Sequence, residues 1–292
     1  MKTQLTAALI GNYVQESLLK AVEGKVMGVT SKGVFLLFGK NSLFLTRDNH
    51  RSPFNIILSP ESVLPPDLSI GELAYYSQGD LLIPSRQTVI SLVNTPIWIP
   101  PFPCPIKNSR VNQTHNAQKI LDGLLELDSQ KGFLFLGNNP KMDTSKQSRV
   151  RQIVKAFSKA FQNNEMQACL EASSQLFGLG TGLTPSGDDW ITGFMLYQCC
   201  QEIAAKNNLR PFIGSLGAEL TYSAYRQTTW ISANRVEAAI KGWSEELFLT
   251  AINYLFDTSS ADSQNVINDL FNFGHSSGVD TFMGIAYACK DW

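Results

Sequence analysis

The sequence predicts an α+β protein, with a small antiparallel β domain (sheet or barrel) first and a mainly α-helical domain after it. Three observations predict this. Short β-type runs broken by turn residues fill residues 25 to about 106. A proline cluster follows, and most of the remaining chain carries apolar residues at helical spacing.

In the first half, residues 26–30, 34–38 and 43–46 are separated by Ser31-Lys32-Gly33 and Gly39-Lys40-Asn41, which suits tight hairpins. Residues 81–83 and 89–93 add further strands. Pro96, Pro100, Pro101, Pro103 and Pro105 then fix φ and withhold amide protons, so this stretch is extended and forms a natural joint. It divides the chain into a mainly β domain, 1–106, and a mainly α domain, 107–292. A connector crossing one face of a single domain is the alternative. Beyond the joint, helices are expected at 117–127, 150–161, 166–177, 211–225, 233–243, 244–256 and 263–273. The apolar run GFLFLG, Gly132–Gly137, reads as strand or turn.

Composition narrows the function. The 292 residues are 43% hydrophobic and 17% charged, as in a globular protein, and the formal net charge of −1 gives no field for nucleic acid or an anionic membrane. An acidic substrate must be held by local groups. The five cysteines, Cys104, Cys169, Cys199, Cys200 and Cys289, show no C-x-x-C pair or metal-ligand spacing, so they read as small hydrophobes in a reducing compartment, the cytoplasm. The start, MKTQLTAALIGNYVQE, is a poor signal peptide, and no apolar run is long enough to span a bilayer.

Two segments share the pattern S-G-x-D-x-x-x-G: Ser186-Gly187-Asp188-Asp189 through Gly193, and Ser277-Gly278-Val279-Asp280 through Gly284. In each, the serine suits an N-cap and the aspartate a capping-box position. The following stretches, 190–201 and 281–289, contain no charge, as expected of two buried helices. Each late glycine lies one turn beyond its aspartate and lets another backbone come close, offsetting its cost of about 1 kcal/mol against alanine. The two helices are expected to cross near Gly193 and Gly284, with their N-termini in one neighbourhood where free amides attract phosphate or carboxylate. A separation of the Asp189 and Asp280 carboxyls beyond two helix diameters, roughly 20–24 Å, would exclude a shared site.

The first signature is preceded by Gly178, Gly180 and Gly182, with Thr181, Thr184 and Ser186 interleaved, in the run GLGTGLTPSGDD. So many glycines cost backbone entropy, and the hydroxyls offer donors to an oxygen-rich ligand. It is not a P-loop, because no Lys precedes a Ser or Thr after the last glycine. Nor is it a dinucleotide fingerprint, because the third glycine is misplaced and a helix precedes it.

The candidate anion- or substrate-binding residues are therefore Gly180, Thr181, Gly182, Thr184, Ser186 and Gly187, with Ser276, Ser277 and Gly278 from the second signature. Asp188, Asp189 and Asp280 are candidate bases, Asp189 and Asp280 forming the matched pair. Asp188 and Asp189 are also the residues that would hold a metal, with Mg²⁺ the cation considered. His275 stands beside the second signature, either to transfer protons or only to hydrogen-bond at a helix start. Arg226 could fork onto a carboxylate or phosphate, with Thr228 and Thr229 beside it. Alternatively, Thr228, Thr229 and Ser232 cap the next helix.

At these residues the chain resembles a bacterial family long catalogued as a domain of unknown function. Its hallmarks are a G-x-G-x-G-L-T-P-S-G-D-D block, a T-T-x-x-S stretch and a closing G-H-x-S-G-x-D-x-x-x-G block. Here these match residues 178–189, 228–232 and 274–284, so the resemblance covers the helical half well and the β half loosely. The family includes the AllH-like subunit of oxamate carbamoyltransferase, which acts in anaerobic allantoin breakdown alongside two other subunits. The resemblance implies carbamoyl exchange between oxalurate and phosphate, giving oxamate and carbamoyl phosphate, within a hetero-oligomer serving purine nitrogen catabolism. Some members have been labelled carboxylases instead. Three functions stay open: a carbamoyl- or carboxyl-group transferase or a subunit of one; a nucleotide- or phosphate-dependent small-molecule kinase; and a non-catalytic metabolite-binding subunit.

Overall fold

Alternation of apolar and polar residues sets the first half. In Thr3–Gly11 (β1), Leu5 and Ala7 point inward while Gln4, Thr6 and Ala8 face out. The structure, a computed structural model, describes residues 3–65, 67–207 and 209–290. It forms two compact units, Met1–Pro100 and Pro101–Trp292.

In the first unit, β1 is followed by helix α1 (Asn12–Lys20) and by β2 (Glu23–Thr30), β3 (Gly33–Phe38), β4 (Asn41–Thr46), β5 (Asn55–Leu58), β6 (Leu73–Ser77), β7 (Asp80–Ile83), β8 (Thr88–Ser91) and β9 (Ile97–Trp98). Strands pair in the order β5-β4-β3-β2-β6-β7-β8-β1, and β1 closes onto β5, making an eight-stranded barrel. The two residues of β9 extend it beside the end of β1. Most pairings are antiparallel; β1–β8, β4–β5 and β1–β9 are parallel. The β6–β7 turn, Gln78-Gly79, has positive φ at both residues (52° and 87°), the backbone that matches the twist of a two-residue hairpin. Val26, Leu36, Phe38, Leu43, Leu45, Ile56, Leu81 and Ile90 fill the interior, so the barrel is a packed core. Strand β1 and helix α1 carry no turn signal, and neither is legible in the sequence.

The second unit is helical: α2 (Arg110–Asp128), α3 (Ser145–Gln162), α4 (Met166–Leu176), α5 (Ser186–Ala204), α6 (Pro211–Gln227), α7 (Trp230–Ala239), α8 (Glu246–Phe256), α9 (Ser263–Asn272) and α10 (Ser277–Cys289). Gly132–Gly137 is a 3₁₀ turn rather than a strand. No helix among the described residues is long and apolar enough to cross a membrane.

Helices α5 and α10 form the centre of this unit, with residues 187–200 and 278–289 buried. Their glycines fix how they meet. A Cβ on Gly193 would stand 1.9 Å from the Thr281 carbonyl oxygen, and one on Gly284 would stand 2.0 Å from that of Trp190. Thr281 and Trp190 each follow the aspartate of their own signature, so the contact is reciprocal. The other glycine of each signature is equally constrained: Gly187 lies against the Leu176 carbonyl of α4, and Gly278 against the Leu270 carbonyl of α9. Each preceding helix ends in Phe-Gly, with Gly178 at φ 74° and Gly274 at φ 63°. The pairs α4–α5 and α9–α10 are thus one helix-turn-helix unit used twice. They differ in the turn, which spans 178–185 in the first and 274–276 in the second.

Gly193→Ala and Gly284→Ala are expected to destabilise the chain by ~1–3 kcal/mol or more, because an added methyl group would push the touching backbones away from each other. Urea titration should show a lower midpoint with an unchanged slope; a wild-type midpoint in both variants would disprove the close crossing.

Candidate functional site

The eight-residue turn of the first helix pair carries three glycines in backbone that L side chains avoid: Gly178 at φ 74°, Gly180 at φ 131° and Gly182 at φ 92°. Thr181, Gly182 and Leu183 are exposed. Leu179 and Gly187 bond across the base of the loop, the Gly187 amide donating to the Leu179 carbonyl at 2.9 Å. The amides of Gly180, Thr181 and Gly182 donate to no group among the described residues. The Thr184 and Ser277 hydroxyls lie 2.8 Å apart, so the glycine turn touches the N-terminus of α10 directly. Asp189 and Asp280 also feel each other's charge. The two signatures therefore occupy one neighbourhood.

Neither helix start is capped as the sequence suggested. Pro185 and Ser276 occupy the N-cap positions, without a side-chain cap hydrogen bond, and Ser186 and Ser277 are the first helical residues. Their hydroxyls face across instead: Ser277 lies beside Asp189 and Ser186 beside Asp280, each favouring the charged carboxylate. Ser276 acts on Asp280 in the same sense. The aspartates do not serve as capping-box acceptors.

Asp188 binds the glycine turn to the T-T-x-x-S stretch. One carboxylate oxygen accepts the Gly178 amide at 2.8 Å, and the other accepts the Thr228 hydroxyl. Thr229 both caps α7, accepting from the Ser232 amide at 3.1 Å, and donates its hydroxyl to the Leu183 carbonyl at 2.7 Å. Asp189 pairs through Oδ1 with Arg235 on α7. The same guanidinium reaches Glu245 at 3.1 Å and Thr281 at 3.3 Å. Asp280 accepts the Phe133 amide at 2.6 Å. This is possible because Gly132, at φ 53°, has no Cβ; one would stand 2.1 Å from the Asp280 carboxylate. Lys131, just before it, donates to the Phe271 carbonyl over that residue's ring, and burial pushes its ammonium down.

Asp188, Asp189 and Asp280 are each 0–1% exposed. Burial pushes all three carboxyls up, Asp189 to about 8 in spite of Arg235. Asp189 Oδ2, Asp280 Oδ2 and Ser232 Oγ are buried without a hydrogen-bond partner among the described residues.

Two expected residues are not brought in. Arg226 is exposed, with its guanidinium donating to the Tyr222 hydroxyl at 2.8 Å. It sits where α6 ends, outside the bundle. His275 is exposed in the short turn, and no hydrogen bond among the described residues joins it to an aspartate. The site's cation is Arg235, buried in α7 and without a motif of its own in the sequence. Lys131 and Glu245 gave no local signal. Among the described residues, no group of three or more His, Cys, Asp or Glu side chains is placed to hold a metal ion, and both oxygens of Asp188 are already engaged.

The glycine turn, the Thr228-Thr229 stretch and the second helix start thus meet in three dimensions as well as in sequence order. Residues 176–289 match the family described as oxamate carbamoyltransferase subunit AllH. The AllH match begins at the end of α4 and ends with α10, so it covers the glycine turn, both signatures and Arg235, and leaves the barrel outside. It shows for this stretch the resemblance carried by the three motif blocks. No solved structure matches the chain.

The carboxyl cluster predicts the pH dependence of stability. Above about pH 4 the unfolded chain releases protons that the folded aspartates keep, so stability should fall as pH rises from about 5 towards 8. Urea midpoints measured at both ends of that range should show the fall, and Asp280→Asn should reduce it. A midpoint that rises with pH across this window would contradict the assignment. Removing the cation should be worse: Arg235→Met is expected to cost about 3–5 kcal/mol, since it strands buried carboxylates.

Proposed function

We propose that this chain is a carbamoyltransferase subunit in which the glycine turn holds a small oxyanion and the buried carboxyls manage protons. One observation carries this: the exposed turn presents unpartnered amides on positive-φ glycines and is bridged by hydroxyls to a second helix N-terminus. The family description supports oxamate carbamoyltransferase chemistry. In that exchange a phosphate oxygen attacks the carbamoyl carbon of oxalurate and the bond from that carbon to the oxamate nitrogen breaks. The nitrogen takes up a proton as it leaves. Turn amides would stabilise the developing oxyanion, and Asp189, whose carboxyl burial pushes up to about 8, would supply the proton. Because these carboxyls lie beneath the surface, a partner subunit would complete the reacting centre. Mg²⁺ would arrive with a phosphate ligand, since Asp188 has no oxygen to spare. Five free cysteines suit a reducing cytoplasm.

Calorimetry on the full chain with phosphate, carbamoyl phosphate, oxamate and ATP, each with and without Mg²⁺, tests the proposal. Binding of phosphate or carbamoyl phosphate supports it. ATP binding that requires Mg²⁺ would replace it with a kinase, and silence from every ligand, with or without partner subunits, would leave a non-catalytic role. Gly182→Ala provides a sharper arm. Gly182 has φ 92° and open space around a Cβ, as does Gly71 in the barrel at φ 93°. Both alanine variants carry similar strain, yet only Gly182→Ala should weaken phosphate binding, by about tenfold, the effect of losing one charge-assisted hydrogen bond.

A further inference from the structure

We propose that the cavity at the C-terminal ends of α5 and α10 is a second ligand site, which takes a flat organic anion: an aromatic or heteroaromatic body carrying one carboxylate or phosphate. The site stands apart from the glycine turn. Gln198 in its wall lies about three helical turns, roughly 16 Å, beyond Gly187 along α5.

The cavity has a volume of about 650 Å³, within the range of small-molecule sites, and lies wholly in the helical unit. Phe161 of α3, Phe194 of α5 and Tyr287 of α10 are its buried aromatic floor. Gln162, Ala205 and Asn207 are exposed at its rim. Between floor and rim stand Arg110, at the start of α2, and Gln201.

The argument starts from charge. Three cations line the cavity, Arg110, Arg210 and Lys290, against one acid, Glu202. Arg210 pairs with Glu202 at 2.7 Å. Lys290 donates to Gln118 Oε1 at 2.8 Å and feels the charge of Asp122. Arg110 differs, because all its partners are neutral. Its guanidinium donates to the Tyr197 hydroxyl at 2.6 Å, Gln201 Oε1 at 3.2 Å and the Ala288 carbonyl at 2.6 Å. Among the described residues no carboxylate pairs with it, and its Nε donates to no group. The end of α10 supplies it with about half a negative charge, which leaves the other half unanswered. A half-buried guanidinium with donors to spare is suited to fork onto a carboxylate or phosphate. Its three existing bonds hold it in place before a ligand arrives, so little side-chain entropy is lost on binding.

The remaining lining selects the body of the ligand. The aromatic floor favours a flat apolar ring, and the side-chain amides of Gln162, Gln198 and Asn207 offer donors and acceptors to ring nitrogens or oxygens. An inorganic anion would leave that floor unused, and a metal cation would meet Arg110.

Calorimetry on the full chain with benzoate, phenyl phosphate and AMP tests the site, with benzamide as the neutral counterpart of benzoate. At least one of the three anions should bind at least about tenfold tighter than benzamide, the effect of one hydrogen bond to a charged group. Two variants separate this site from the glycine turn. Ala205→Trp fills the mouth from an exposed position, so it should abolish binding of the aromatic anion and leave inorganic phosphate binding unchanged. Gly182→Ala should do the reverse. Arg110→Lys keeps the charge without the fork and should weaken the aromatic anion about tenfold. Circular dichroism checks that this variant folds; if it does not, Ala205→Trp decides. Binding no tighter than that of benzamide, or binding lost in Gly182→Ala but kept in Ala205→Trp, would overturn the second site. Failure of inorganic phosphate alone to bind would count against the turn and leave this site standing.

Discussion

Everything in the helical unit depends on two helices whose backbones touch. At Gly193 and Gly284 the approach of α5 to α10 leaves no room for a side chain, and each glycine meets a carbonyl of the other helix. This close contact brings the two helix starts together, and with them Ser186, Ser277, Asp189 and Asp280. A side chain at either crossing would move the helices apart and separate the two halves of the site. Packing and site are therefore set by the same residues.

The second constraint is electrostatic. Buried carboxylates packed near one guanidinium are poor stability devices, since desolvation offsets most of the Coulomb attraction. Arg235 moderates the cost by reaching Asp189, Glu245 and Thr281 from the centre of α7. Asp188 is handled separately, by a backbone amide and a threonine hydroxyl. Asp280 depends on a glycine-led 3₁₀ turn that offers an amide at close range. Three aspartates in one cluster thus have three kinds of support, and two of them retain an oxygen with no hydrogen-bond partner among the described residues.

The doubled helix-turn-helix gives this arrangement a simple logic. The same unit, Phe-Gly turn followed by S-G-x-D-x-x-x-G helix, supplies one aspartate to each side. The turns then diverge: one is three residues long and the other eight, with three positive-φ glycines. The long turn, with amides that have no partner among the described residues, makes the two helix starts unlike each other.

The sequence by itself determined the β-then-α order, the two charge-free helices, the glycine-rich turn and the pairing of Asp189 with Asp280, because periodicity, glycine spacing and repeated motifs are local properties. It did not determine how the first strands close into a barrel, since β1 pairs with β5 and β8 far along the chain. Nor did it identify Arg235, Lys131 or the Phe133 amide, whose relevance comes only from which carboxylate each one meets. His275 and Arg226 looked apt beside the motifs yet lie exposed, because neighbours in sequence need not point inward. The serines read as caps face the opposite helix for a related reason: with the backbones in contact, the nearest acceptor lies across the crossing rather than along the chain. The tertiary structure decided partners, and it did so through burial, which makes the identity of each neighbour matter.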